Sequence, residues 1–330
     1  MNISSWLHQR LPQVWLSRNL SARLLWPLAL LHGAVRKAQG LARRLGGRTP
    51  QRLPVPVIVV GNVIAGGAGK TPLTMGLVQH LQQQGWQPGV ISRGHGRQTR
   101  DTRAVMTDSL PADVGDEPLL IHQKTGAPVW VGASRADAGR ALLRQHPLVN
   151  ILVCDDGLQH WALARDLEIC VMDARGVGNG WLLPAGPLRE PWPKKVDLLL
   201  HTGPNDLPGG FLAKRQLASF ALDAQGQQVP LASLSHRPVD AVAGLAQPDA
   251  FFTMLRQAGL SLNHTTPLPD HFDYANWPSD ALPRPLLCTE KDAAKLWQRQ
   301  AQALAVPLEL TPEPAFWQAL DQLMAEKNMR

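Results

Sequence analysis

Short apolar runs alternate with longer amphipathic segments from residue 54 to the end of the chain. The apolar runs hold four to six residues, many of them Val, Ile or Leu, and predict strands at residues 55–60, 89–92, 128–131, 150–154, 167–172, 196–200, 239–244, 285–288 and 306–310. The segments between them predict helices at residues 71–84, 134–145, 248–259, 290–298 and 313–326. Apolar strands that alternate with helices are typical of an α/β protein with a doubly wound, mostly parallel sheet.

A glycine-rich loop follows the first predicted strand. It consists of Gly66, Gly67, Ala68, Gly69, Lys70 and Thr71. Strand, glycine loop, Lys-Thr and helix form the P-loop layout that surrounds nucleotide phosphates, although Ile64 stands where the usual pattern has a Gly. Lys70 would place its charge on the β/γ-phosphates, and the Thr71 hydroxyl would ligate Mg²⁺. The alternative is a glycine-rich turn that only closes a βα unit, but such a turn has no need of Lys-Thr.

Two adjacent carboxylates, Asp155 and Asp156, end the buried strand at residues 150–154. A carboxylate at this place in a P-loop protein holds Mg²⁺ directly or through water. Paired acids there are costly unless they meet a cation. Gln159 and His160 follow within one turn and would face the same site. The alternative interpretation is a helix N-cap with a solvated neighbour.

Two further loops combine arginine with glycine or proline. The loop at residues 92–97 carries Arg93 and His95, and guanidinium groups in a glycine loop suit anionic ligands. Arg189 and Glu190 lie in a proline-rich loop that would direct Arg189 toward a phosphate and Glu190 toward a metal. A plain basic loop and a salt-bridged surface turn are the respective alternatives.

Two candidate proton carriers lie far apart in the sequence. Asp116, in a predicted tight acidic turn at residues 115–118, could accept a proton from a substrate hydroxyl. His271, next to Asp270, could serve as a general base or relay. In isolation, a turn Asp more often caps its own backbone, and a lone His is more often structural. The segment at residues 289–292 is explained by a helix capping box, and the alternative is a place beside the nucleotide base.

The first 53 residues hold nine Lys and Arg and no Asp or Glu, whereas the rest of the chain carries 24 basic and 26 acidic groups. Within this arm, the apolar segment at residues 24–35 is shorter than the about 20 residues needed to cross a bilayer. Trp6, Trp15 and Trp26 add aromatic side chains. We therefore predict a helix that lies on an anionic membrane surface. A nucleic-acid-binding arm and a helix packed on its own domain are the alternatives.

The chain of 330 residues is long for one domain and suits two. The alternation of strands and helices stops at residues 203–234, where Gly, Pro and Gln are frequent. We therefore predict a basic arm at residues 1–53, a P-loop nucleotide-binding domain at 54–202, a linker with some antiparallel structure at 203–234, and a second, smaller α/β domain at 235–330. The cleft between the two α/β units would be a natural place for a second substrate.

Seven short motifs follow one another along nearly the whole chain: GGAGKT, SRGHGR, GDEP, DDGLQH, PAGPLREP, PDHF and TEKD. Each is weak alone, but the ordered set resembles the tetraacyldisaccharide 4′-kinases of lipid A biosynthesis. The family pattern has SRGYGR as its second motif, so His95 stands here in place of a Tyr. A His at this position can still stack and donate a hydrogen bond.

The resemblance implies an ATP-dependent, Mg²⁺-requiring lipid kinase on the cytoplasmic face of a Gram-negative inner membrane. It would transfer the γ-phosphate of ATP to the 4′-hydroxyl of a tetraacyldisaccharide 1-phosphate. Its partners would be this lipid and the membrane surface, with no nucleic acid and no obligate protein partner.

The resemblance, together with the residue chemistry above, also predicts the site. Asp116 and His271 would form a base and its partner across the interdomain cleft. The remaining assignments are catalytic Lys70 and Arg189; ATP-binding Gly66, Gly67, Ala68, Gly69, Lys70 and Thr71; substrate-binding Arg93, His95, Gln159 and His160; and metal-binding Thr71, Asp155, Asp156 and Glu190.

Two other classes of protein share the glycine loop. A P-loop NTPase switch or metallochaperone would hydrolyse nucleotide without lipid and act on a protein partner. It leaves the basic arm and the GDEP and PDHF motifs unexplained. A nucleotide-binding structural module without turnover would not need the many acids and arginines at strand ends.

Overall fold

The computed structural model describes residues 11, 13–46, 49–279 and 283–329, with residues 43 and 44 described by their backbone alone. Trp6, Arg10 and Arg48 of the predicted arm lie outside the described residues. The described chain folds around two β-sheets, a larger and a smaller one.

The helices and strands are numbered in chain order. The strands are β1 Val57–Gly61, β2 Pro88–Ser92, β3 Arg103–Val105, β4 Val129–Val131, β5 Ile151–Asp155, β6 Leu167–Met172, β7 Leu198–His201, β8 Phe211–Leu217, β9 Phe220–Leu222, β10 Gln228–Pro230, β11 Val239–Gly244, β12 Leu262–Leu268, β13 Leu286–Thr289, β14 Leu304–Val306 and β15 Leu308–Pro312. The helices are α1 Leu20–Leu45, α2 Lys70–Gln83, α3 Pro111–Val114, α4 Asp116–Thr125, α5 Arg135–Gln145, α6 Pro248–Gln257, α7 Glu290–Leu296 and α8 Pro314–Glu326, with a 3₁₀ helix at Leu231–Leu234.

The larger sheet has nine strands of the described chain in the order β15-β8-β7-β6-β1-β5-β2-β4-β3. The strands from β8 to β4 are parallel to their neighbours, and the edge strands β15 and β3 are antiparallel. The central strand β1 is buried at every position, and its β-branched sequence favours an extended chain. Helices α2, α4 and α8 cover one face and α5 covers the other, which confirms the doubly wound, mostly parallel sheet.

The smaller sheet has six strands of the described chain in the order β10-β9-β14-β13-β11-β12. The four strands from β14 to β12 are parallel, and β9 and β10 are antiparallel additions. Helix α6 packs Phe251, Phe252 and Leu255 into the core of this sheet. A second, smaller α/β unit is therefore present, as predicted.

The segments on both sides of residue 235 are shared between the two sheets. In the predicted linker at residues 203–234, β8 joins the larger sheet, while β9 and β10 join the smaller one. Near the C-terminus, β15 pairs with β8 in the larger sheet. Helix α8 follows it there because Phe316, Leu320 and Met324 are buried in that core. The domain boundaries drawn from the sequence remain a prediction.

Helix α1 has one face on the protein and one face exposed. Asn19 caps its start by accepting the Ala22 N–H, and Ala22 and Ala29 are buried. His32 Nδ1 lies 3.1 Å from the Leu183 carbonyl, and Arg36 lies 3.8 Å from Glu190. The opposite side, at the 3.6-residue spacing of a helix, exposes Leu20, Leu24, Leu28, Leu31 and Val35. No helix of the described residues is long and apolar enough to span a bilayer.

Candidate active site

The candidate site lies along one edge of the larger sheet. Its parallel strands all end at this edge, which is where open α/β sheets bind ligands. The glycine loop follows β1, Arg93 follows β2, and the pair Asp155 and Asp156 lies at the end of β5. The strand order therefore brings three of the predicted segments together.

The glycine loop makes a tight turn between β1 and α2. Gly66 and Gly69 have φ angles of 91° and 92°, in the left-handed region that glycine adopts without strain. Lys70 is the first residue of α2, is only 8% exposed, and donates to Asn62 Oδ1 at 3.3 Å. The start of α2 has no side-chain cap, so a helix N-terminus lies beside a buried ammonium group. Both features attract anions.

Asp156 lies between two cations. Arg189 Nη1 donates to both carboxylate oxygens of Asp156, at 2.9 and 3.0 Å, and Lys70 Nζ lies 3.7 Å from Oδ1. Burial opposes the ionisation of Asp156, but Lys70 and Arg189 outweigh it and lower the pKa of this carboxyl. The structure thus joins three predicted site residues into one charged group.

Asp155 is buried more deeply, at 1% exposure. Thr74 Oγ1 donates to its Oδ1 at 3.0 Å, and Ser92 Oγ lies 3.5 Å from its Oδ2. Burial, with the nearby carboxylates of Glu117 and Asp156, raises the pKa of Asp155 to about 7. A buried carboxylate with a raised pKa is stabilised in its charged form by a bound cation.

Gln159 connects the segment directly after β1 to Glu190. Its Nε2 donates to the Asn62 carbonyl at 2.9 Å and to Glu190 Oε1 at 2.7 Å. Arg189 Nη1 lies 3.4 Å from Gln159 Oε1. Glu190 is 3% exposed and also faces Arg36 of α1 and Lys194. Gln159 therefore lies at this site, and half-buried His160 follows it in the chain.

Asp116 and His271 are hydrogen-bonded although 155 residues separate them in the sequence, with Nδ1 and Oδ2 3.0 Å apart. Asp116 does not lie in a tight turn, so that prediction is wrong. Gly115 turns the chain with a φ of 91°, and Asp116 opens helix α4, where an acid is favoured by the helix dipole. Burial opposes the ionisation of Asp116, but His271 and Lys295 lower its pKa overall.

Two lysines of α7 complete this group, and the sequence analysis missed both. Lys295 Nζ donates to Asp116 Oδ2 at 2.9 Å, and Lys291 Nζ donates to Asp270 Oδ1 at 2.8 Å. They are four residues apart and so share one helix face. The capping box predicted at residues 289–292 is present, because the Thr289 side chain accepts the Asp292 N–H. It explained only part of that motif.

His95 packs edge-on against His271, with ring centroids 5.0 Å apart at 61°. Burial and the neighbouring His271 lower the pKa of His95. The position that holds Tyr in the expected family pattern thus makes a ring contact in this chain. Arg93 is exposed at the end of β2.

The phosphate-side group and the Asp116–His271 pair lie close to each other. The loop that follows β2 connects them, because Ser92 Oγ lies 3.5 Å from Asp155 Oδ2 and a Cβ built on Gly115, next to Asp116, would lie 3.0 Å from Gly94 Cα. A cavity of about 190 Å³ beside the pair is lined by Asp116, His271 and Lys295, among others. The edge of the sheet therefore brings cationic side chains and a hydrogen-bonded Asp–His pair into one region.

This fold and this site define the class of protein. A glycine loop, a buried lysine at a helix start and strand-end carboxylates on a parallel sheet are the parts of a P-loop phosphotransferase.

Comparisons with known proteins give the family. The family model described as tetraacyldisaccharide-1-P 4′-kinase matches residues 21–325. The tetraacyldisaccharide 4′-kinase of Acidovorax sp. (strain JS42) is 56% identical over 325 residues, which cover 97% of this chain and 95% of the relative. That of Polaromonas naphthalenivorans (strain CJ2) is 52% identical over 327 residues, which cover 96% and 95%.

A solved structure agrees. The crystal structure described as the "apo" form of LpxK from Aquifex aeolicus in complex with ATP has a TM-score of 0.80 and 27% identity, and covers 93% of this chain and 99% of the other. The chain therefore belongs to the tetraacyldisaccharide-1-phosphate 4′-kinase family. The predicted family, fold class and enzyme class, a lipid A 4′-kinase, are confirmed.

Proposed function

We propose that this chain transfers the γ-phosphate of ATP, with Mg²⁺, to the 4′-hydroxyl of a tetraacyldisaccharide 1-phosphate. One observation carries the proposal: Asp116, whose pKa is lowered, is hydrogen-bonded to His271 at the same edge of the sheet as the Lys70–Asp156–Arg189 group. The first group suits a hydroxyl proton and the second suits phosphates. Phosphoryl transfer to an alcohol uses both.

The phosphate side would bind ATP. The solved relative is described in complex with ATP, which supports the same donor here. Lys70 and Arg189 would neutralise the transferring phosphate and its leaving group, and the N–H groups at the start of α2 would cradle the phosphates. Arg93 would contact the phosphate that the lipid already carries, and His95, Gln159 and His160 would border the lipid head group.

Asp116 would act as the base. As the 4′-oxygen forms a bond to the γ-phosphorus, the bond to the bridging β,γ-oxygen breaks and ADP leaves with that electron pair. The hydroxyl proton passes to Asp116. Among the described residues, His271 and Lys295 both donate to Asp116 Oδ2, and Oδ1 would face the substrate. His271 would orient the carboxylate and, with Lys295, favour its ionised form.

The oxygen donors of the site fit Mg²⁺. We propose that Thr71, Asp155, Asp156 and Glu190 provide its protein ligands, directly or through water. In the described part of the chain, no three His, Cys, Asp or Glu side chains form a ready metal cage. Mg²⁺ at nucleotide sites needs only one or two carboxylates besides phosphate oxygens and water. When bound, it would neutralise charge on the phosphates.

Helix α1 would lie on the cytoplasmic face of the inner membrane. The arm is fixed to the loop that leads to Glu190, since the indole Nε1 of Trp15, which precedes α1, donates to the Pro184 carbonyl, and His32 of α1 contacts the Leu183 carbonyl. Its outer stripe is exposed, with Leu24 at 72% and Leu31 at 61%. An apolar stripe in an arm without acidic residues suits anionic lipid. The proposal needs neither nucleic acid nor an obligate protein partner.

The test is ATP consumption by the full chain in mixed micelles with and without tetraacyldisaccharide 1-phosphate, with the product analysed by phosphorus NMR. We expect consumption to require the lipid and the new phosphate to lie on the 4′-oxygen. Equal hydrolysis without lipid would contradict the proposal and favour a P-loop NTPase switch.

A further inference from the structure

Arg175 binds the outer side of the glycine loop, and the function proposed above does not use it. Its Nη1 donates to the Ala65 carbonyl at 3.0 Å, and its Nη2 donates to the Gly67 carbonyl at 3.3 Å. A Cβ built on Gly66 would lie 3.2 Å from Arg175 Nη1. The guanidinium therefore lies directly against the loop, with a glycine between the two carbonyls that it binds.

Asp173 holds this guanidinium in place. Arg175 Nε lies 3.0 Å from both carboxylate oxygens of Asp173, and Nη2 lies 2.6 Å from Oδ2. The backbone N–H of Arg175 also donates to Asp173 Oδ1 at 2.9 Å. Asp173 is 6% exposed and follows β6, the strand beside β1. A planar guanidinium bound on two sides has little freedom to turn away.

The geometry of the peptide bond gives these contacts a consequence for phosphate binding. In a trans peptide the C=O and the following N–H point in opposite directions. A donor that holds the Ala65 and Gly67 carbonyls outward therefore directs the N–H groups of Gly66 and Ala68 to the inner side of the loop. Thr202 Oγ1 holds the Ala68 carbonyl in the same manner, at 3.1 Å.

We propose that Arg175 is a positioning residue of the phosphate loop. It does not need to touch the nucleotide, because it fixes the peptide planes whose N–H groups bind the phosphates. Asp173 supports it, and Gly66 is required where the guanidinium meets the backbone. This inference rests on the proposed use of ATP as the phosphate donor.

The test compares Arg175→Ala and Arg175→Lys with the wild-type chain. The measurements are the KM for ATP, the KM for lipid, the Kd for ATP from calorimetry, and the thermal midpoint of the free protein. We expect Arg175→Ala to raise the KM and Kd for ATP by roughly tenfold or more, with the KM for lipid unchanged. Arg175→Lys should raise them less, since one ammonium group cannot hold both carbonyls and Asp173.

The chain offers a matched control in the segment Asp101-Thr102-Arg103. There too an Arg binds an Asp two residues earlier, with Arg103 Nε at 3.1 and 2.9 Å from the carboxylate oxygens of Asp101, but the pair is exposed and away from the loop. Arg103→Ala should leave both the KM and the Kd for ATP unchanged. If Arg175→Ala fails to fold, Asp173→Asn gives the same comparison with the arginine retained.

The inference would be overturned if the Arg175→Ala chain lost thermal stability but bound ATP like the Arg103→Ala chain. Arg175 would then have only a structural role. Lack of phosphate transfer by the wild-type chain would instead contradict the proposed function. If Arg175→Ala weakens ATP binding and Asp173→Asn does not, the role of Arg175 is upheld and the supporting role of Asp173 is contradicted.

Discussion

The proposed phosphate side of the site is assembled from segments that follow neighbouring parallel strands, whereas the proposed acceptor side joins Asp116 and His271 across 155 residues of sequence. On the phosphate side, side chains hold backbone carbonyls: Gln159 donates to that of Asn62, Arg175 to that of Ala65, and Thr202 to that of Ala68. On the acceptor side, ion pairs from α7 hold the carboxylates of α4. The first arrangement fixes backbone geometry, and the second sets the charge and the orientation of the proposed base. Substitutions in the two halves should therefore fail in different ways.

The largest difference between the two sides of the site is expected from Asp116→Asn and His271→Ala. Asp116→Asn removes the proposed base and His271→Ala removes the group that orients it. Neither touches the glycine loop, so turnover should fall by roughly 10²–10⁴-fold while the Kd for ATP is retained. Steady-state transfer assays and calorimetry measure the two quantities. His264→Ala is the matched control, because His264 also faces an Asp, Asp240 at 3.4 Å, but on the surface. Turnover at the wild-type rate in His271→Ala would remove His271 from the mechanism.

A smaller effect is expected from Lys295→Met, which should change the pH dependence of transfer. Asp116 must be ionised to accept a proton, so the rate falls as the pH drops through its pKa. Despite burial, Lys295 helps to lower that pKa, and its loss should move the acidic limb of kcat/KM to higher pH. Lys327→Met, which removes a surface ion pair to Asp197, should leave the profile in place. An unshifted limb in Lys295→Met would show that Lys295 does not tune the base.

The sequence predicts the two sides of the site to different extents. The glycine loop and the strand-end acids were predictable because their chemistry lies within a few residues. The pairing of Asp116 with His271 followed only from the family resemblance, since no local pattern encodes a contact over that separation. Lys295 was missed for the same reason.

Helix α4 is a different case, because a local signal was present. Two acids and Pro118 occupy its first turn. The helix dipole favours acids there, and the missing N–H of a proline is tolerated there. The return of β15 and α8 to the larger sheet had no such signal. An amphipathic helix shows that one face is buried, but the pattern is the same for any core that it covers.

The smallest effect concerns the arm. Leu24→Glu combined with Leu31→Glu places charges on the exposed stripe of α1 and should weaken co-flotation with anionic vesicles several-fold, because burying a carboxylate in lipid is costly. Leu148→Glu changes an equally exposed leucine, 80% exposed, on another surface and should not. Activity on substrate in detergent micelles should be retained by both chains. Equal flotation of the two chains would contradict the membrane role of α1.

The most direct test of the account is transfer of labelled γ-phosphate from ATP to tetraacyldisaccharide 1-phosphate in mixed micelles, with the wild-type chain compared with Lys70→Ala. Lys70 is buried at the start of α2, within reach of Asp156, where the transferring phosphate is proposed to lie. We predict transfer by the wild-type chain and a loss larger than that of His271→Ala in the variant. Transfer by Lys70→Ala at the wild-type rate, or its absence in both chains while nucleotide is still bound, would contradict the account.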